Sequence, residues 1–143
     1  LRGLSPDASL EVFARWTAGL AAAAAKGGRA AAAKERLRSF SIGFGRRIGA
    51  MLGVRSRKDA MRAARLLYRF LGIDFLGADS GEIIIRRCSF SEHYTPETCA
   101  LMSGLDEGVL AGLAGGGRLT FQARLTEGRD SCRARFAFPE SLS

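Results

Sequence analysis

Apolar residues recur along this chain with two different periods, and the change between them near Gly72 separates a helical stretch from a sheet-forming one. Ser5-Pro6-Asp7 supplies an N-cap, a proline at the first helical position and an acid in the first turn, so a helix is expected from Pro6 to about Ala25. Gly27-Gly28 stops it, and the alanine runs 21–25 and 30–33 are strong helix formers without chemistry of their own. Leu37, Phe40, Phe44, Ile48 and Met51 recur at intervals of three and four, which predicts a second helix carrying one apolar stripe. Gly43, Gly45 and Gly49 interrupt that helix and point to the close approach of another backbone, and Gly53 ends it. Ser56-Arg-Lys-Asp59 opens a third helix with a capping-box pattern. Met61, Ala64, Leu67, Tyr68 and Leu71 then face inward, with Lys58, Arg62, Arg65 and Arg69 in a basic row outside.

Beyond Gly72 the pattern is that of strands. Ile73–Leu76 and Glu82–Arg87 flank the turn-rich Gly77–Gly81, and Ile83-Ile84-Ile85 is the strongest β signal in the chain. Thr95-Pro96-Glu97 caps a helix to about Ala114, which Gly115-Gly116-Gly117 breaks. Segments 118–125 and 131–138 then form a hairpin around Glu127-Gly128-Arg129-Asp130. Leu119, Phe121, Ala123 and Leu125 can share one face with Cys132, Ala134, Phe136 and Phe138, leaving Arg118, Arg124, Arg133 and Arg135 on the other. The expected fold class is α+β, a single domain over 1–143. N-terminal helices (1–71) pack on one face of a roughly four-stranded antiparallel sheet (72–138), with a helix before the C-terminal hairpin.

Composition narrows the function classes only modestly. A chain of 143 residues is one domain's worth, and 47% hydrophobic with 25% charged residues is ordinary for a globular protein. No apolar run is long enough for a transmembrane helix; Ala18 to Ala25 is the longest. The chain begins at Leu1 without methionine, as expected if an upstream segment has been removed. The formal net charge of +8 permits binding to nucleic acid or acidic surfaces, but aromatics are not interleaved with the basic rows and no nucleic-acid motif occurs. A nucleic-acid partner is therefore not expected. Three cysteines at irregular spacing argue against a disulfide framework and fit a reducing, cytoplasmic compartment.

Those cysteines, with the single histidine, are the groups able to carry chemistry. Cys88, His93 and Cys99 lie within twelve residues, and Cys132 stands on the last strand. Four such ligands would close a tetrahedral zinc site, and three with a water would leave a catalytic position. The alternatives are that Cys99 and Cys132 are small core residues with His93 in an exposed loop, or that Cys88 near His93, or Cys99 near a helix N-terminus, is a thiolate nucleophile. Asp106 falls on one helical face with Cys99, Met102, Val109, Leu110 and Leu113. An acid there requires a partner, being a metal ligand, a general base or the mate of a buried arginine. Gly104, Gly108 and Gly112 make a small-residue strip for close packing, with a cavity for a flat ligand as the alternative.

The segments Ile85-Arg-Arg-Cys88-Ser-Phe-Ser-Glu92, Pro96-Glu-Thr-Cys99-Ala-Leu-Met-Ser-Gly-Leu-Asp106-Glu-Gly108 and Glu127-Gly-Arg-Asp-Ser-Cys132 together resemble the L-2-amino-thiazoline-4-carboxylic acid hydrolase-like family. They are also similar to the wider group of 4-vinyl reductase domains, over roughly Gly72 to Phe138. The resemblance implies a ligand-binding α+β fold related to vesicle-tethering subunits, often dimeric, with cysteines near a small-molecule or metal site. Cys88, Cys99, Asp106 and Cys132 match by position. Ser103 stands where hydrolase-like members often carry another cysteine, and Arg124 where the vinyl-reductase group carries a thiol. The expectation that follows is a hydrolase-like protein opening a C–N bond in a cyclic amidine. It would use zinc- or iron-bound water on Cys88, Cys99 and Cys132, or a cysteine nucleophile, with Asp106 or His93 moving the proton. The alternatives are a non-catalytic sensor or carrier for a small apolar ligand, and an assembly subunit with a basic working surface. A homodimer through the N-terminal helices is expected by analogy.

Overall fold

In the computed structural model, which describes residues 5–143, each helix start marked by a cap residue is found where the sequence places it. Ser5 accepts the Ala8 amide to open α1 (Pro6–Lys26), Ser56 accepts the Asp59 amide to open α3 (Arg57–Phe70), and Thr95 accepts the Thr98 amide to open α4 (Pro96–Ala114). Between the first two, α2 (Ala30–Leu52) takes in the second alanine run and ends at Gly53, whose left-handed backbone a side chain would resist.

The strands are β1 (Ile73–Gly77), β2 (Glu82–Cys88), β3 (Arg118–Ala123) and β4 (Cys132–Ala137), joined in one antiparallel sheet of order β1-β2-β4-β3. The α+β class and the helix before the terminal hairpin are as the pattern predicts. Along β4, Cys132, Ala134 and Phe136 are buried while Arg133, Arg135 and Ala137 are exposed, so one face of the sheet is covered and the other solvated. Met61, Ala64 and Tyr68 from α3 and Val109, Leu110 and Leu113 from α4 form the core with Phe75, Ile83 and Phe136. Tyr68 and Phe75 stack with ring centroids 4.9 Å apart. Burying a side chain of this size contributes roughly 2–3 kcal/mol.

Two departures shape the site. The apolar stripe that predicts α2 is not the face it buries: Phe40 and Met51 are 69% and 79% exposed, while Ser41, Gly45 and Gly49 are buried. The reason is the glycine strip on α4. A Cβ at Gly112 would lie 2.7 Å from the Arg46 amide nitrogen and 2.8 Å from Gly45 Cα, and one at Gly108 would overlap Ser41 Oγ and the Arg38 carbonyl. The two helices therefore meet backbone to backbone, and Phe40 and Met51 lie outside their seam. On α1 the outward side is also apolar, with Val12, Trp16 and Leu20 exposed.

The second departure is in the hairpin. A register shift between Phe121 and Ala123 ends β3 two residues early, and Leu125–Glu127 forms a short 3-10 turn. Arg124, expected on the outer face, instead lies over the Phe121 ring at 4.0 Å and turns toward α4.

Candidate functional site

Between the helices and the end of the sheet lies a cavity of about 420 Å³. Its wall is assembled from many elements: Phe13 of α1, Phe40 and Phe44 of α2, Leu67 and Tyr68 of α3, the end of β2, the loop to α4, and Cys99, Met102, Leu105, Asp106 and Val109 of α4. Leu125, Thr126 and Cys132 close the hairpin side. The lining is mainly aliphatic and aromatic with a few directed polar groups, the composition of a small-molecule site.

Two hydrogen-bonded sets of polar groups stand at this wall. In the first, the Tyr68 hydroxyl donates to Asp106 Oδ1. Burial pushes the Asp106 carboxyl up to about 6, against the lowering effects of that hydrogen bond and of the Arg124 charge. Burial, followed by the neighbouring Asp106, raises Tyr68 well above the ordinary phenol value. In the second, Arg124 Nη1 donates to Ser103 Oγ and, at 3.6 Å, to Cys99 Sγ. Ser103 Oγ in turn donates to the Cys99 carbonyl. Among the described residues Thr126 Oγ1 alone is a buried side-chain oxygen or nitrogen with no hydrogen-bond partner, and its residue lines the cavity.

The structure brings Cys88, Cys99, Cys132 and Asp106 to one cavity from β2, α4 and β4. His93 is not with them: it sits in the turn after β2, its amide bonded to the Phe90 carbonyl, and does not line the cavity. The three cysteines are free thiols. Burial pushes Cys88 up to about 12, and it also raises Cys132, partly offset by the Leu125 amide donating to Cys132 Sγ at 3.3 Å. These two thiols therefore stay protonated at neutral pH, which does not suit a nucleophile. Among the described residues no three His, Cys, Asp or Glu side chains are grouped to hold a metal ion. Cys88, Cys99 and Cys132 thus share a cavity wall from which His93 is absent.

Asp106 takes a tyrosine as its hydrogen-bond partner, while Arg124 acts on it through charge alone. Tyr68, Arg124 and Thr126 belong to the site, yet the periodicity marks Tyr68 only as a core residue and Arg124 as a surface charge, and it singles out nothing at Thr126. Nothing in their local pattern distinguishes them, because the register shift and the packing of α3 on α4 create their roles. No family model matches this chain, and no match is found among curated proteins. Among the described residues no helix is long and apolar enough to cross a membrane.

Proposed function

We propose that this chain is a non-catalytic ligand-binding domain, a sensor or carrier in the manner of the 4-vinyl reductase domains it resembles. Its cavity would hold one small, mainly apolar molecule whose polar group meets Asp106, Tyr68 or Thr126. The observation that carries this reading is the cavity itself, apolar over most of its wall and furnished with a few fixed hydrogen-bonding groups. The hydrolytic reading keeps one support, a carboxyl at about 6 suited to proton exchange near neutrality. Against it, burial disfavours the thiolate at Cys88 and Cys132.

Nile red, an uncharged dye that brightens in apolar surroundings, is the probe for the cavity. Saturable binding to the intact chain is expected at one dye per cavity. Leu105→Trp and Met102→Trp, each checked by circular dichroism for retained fold, should weaken it by about tenfold or more, the equivalent of roughly 1.4 kcal/mol. Undiminished binding to both folded variants would remove the cavity as the site.

The homodimer is a further part of this reading, supported by the apolar side chains left exposed on α1, Val12, Trp16 and Leu20. Sedimentation at micromolar concentration should give twice the chain mass, and a single-chain mass would dispose of it.

A further inference from the structure

At the edge of the sheet beside α3 lies a second concavity, far more polar than the cavity and facing solvent. It is an open groove of about 710 Å³ running between α3 and β1. Arg62, Arg65, Leu66 and Arg69 line it from one stripe of α3, at spacings of three and four residues. Arg87 lines it from β2. All four arginines are exposed, and among the described residues none has a carboxylate within ion-pairing distance. Among the described residues Asp74 is the single acid lining the groove, and it stands opposite Arg87 across the β1–β2 ladder without forming an ion pair. Leu66 and Leu76 add exposed apolar surface.

The second observation is topological. β1 is the outermost strand of the sheet, paired with β2 on one side only. Its other side presents backbone groups free to pair with an incoming strand. Five residues of free strand edge thus lie beside four unpaired guanidiniums.

We propose that this groove binds an acidic, extended segment of a partner protein, added to β1 as a fifth strand. The backbone of the segment pairs with the β1 edge, its Asp and Glu side chains meet Arg62, Arg65, Arg69 and Arg87, and an apolar residue rests on Leu66 and Leu76. Guanidinium forks match carboxylates in bidentate geometry, so the same edge that invites pairing selects for acidic strands and repels a second copy of this basic chain.

The test uses the whole chain and a fluorescent peptide alternating Asp or Glu with Val. Polarisation should show saturable binding that weakens with salt. The double variant Arg65→Glu, Arg69→Glu changes exposed side chains only, and should weaken binding by about tenfold or more. Methylating alternate backbone amides of the peptide should weaken it as much, because a methylated edge cannot pair. Equal binding by the double variant, or by the methylated peptide, overturns the proposal. So does tighter binding of a single-stranded oligonucleotide of the same charge, which would make the groove a phosphate surface, and so does no binding of the peptide, which would leave the arginines as guards against edge pairing.

Discussion

Gly108→Ala is expected to lower the melting temperature by roughly 10 °C, although alanine is the better helix former by about 1 kcal/mol. The new Cβ has nowhere to go. It would overlap Ser41 Oγ, which could rotate, and the Arg38 carbonyl, which cannot move unless α2 moves with it. Prying the helices apart forfeits contact along their shared length, with a net cost of about 3 kcal/mol. Gly43→Ala is the control. It sits on the facing helix, α2, where a Cβ meets nothing within 4 Å, and should stabilise by up to about 1 kcal/mol. Thermal unfolding of the two variants side by side separates the seam from general helix effects. A harmless Gly108→Ala would mean that the helices do not meet as closely as described.

The second large effect concerns Asp106. Its carboxyl stands at about 6 in the folded chain against 3.8 for an ordinary aspartate, so the native state holds its proton more tightly than the unfolded state does. Stability from this group is complete below about pH 4, declines as pH rises from 4 to 6, and is lost above 6. The difference of about two pH units corresponds to roughly 2–3 kcal/mol. Asparagine cannot ionise, yet it still accepts the Tyr68 hydroxyl. Asp106→Asn should therefore match the parent near pH 4 and exceed it by roughly 2–3 kcal/mol at pH 7, measured by urea unfolding across that range. A constant difference at all pH values would show that the carboxyl does not titrate in the folded chain as its surroundings require. A stabilising substitution at a buried acid is also the mark of a group retained for some purpose other than folding.

Much of the fold is legible in the sequence because its signals are local. Ser5, Ser56 and Thr95 are caps wherever they occur, and the alternation in β4 needs only a sheet with one covered face. What the pattern misreads is α2. Phe40, Phe44 and Met51 are bulky apolar residues on that helix, and periodicity favours them for the interior, but the glycine strip on α4 rewards the smallest face instead. Close backbone approach is a property of a pair of helices, and one helix read alone cannot reveal it.

The candidate site is legible in part for the same reason. Cys88, Cys99, Asp106 and Cys132 are rare or costly residues on predictable elements, and the fold gathers them on one cavity. His93 is equally conspicuous in sequence, yet it falls in a turn that faces elsewhere. Tyr68 acquires its role from α4 lying across α3, and Arg124 from a strand that ends two residues early. Neither is visible before the chain is folded.

The cavity has one more implication, which concerns quantity rather than recognition. Its wall draws on all four helices, the sheet and the 3-10 turn, so a molecule lodged there is in touch with most of the chain at once and can bind only when those parts are assembled. At a ligand level about a hundred times the dissociation constant, occupancy would add roughly 2.7 kcal/mol to the folded state. For a marginally stable domain, that increment is a large share of what separates persistence from degradation. The abundance of the folded chain would then rise and fall with the supply of its ligand, and the protein level would itself record how much of that ligand is at hand.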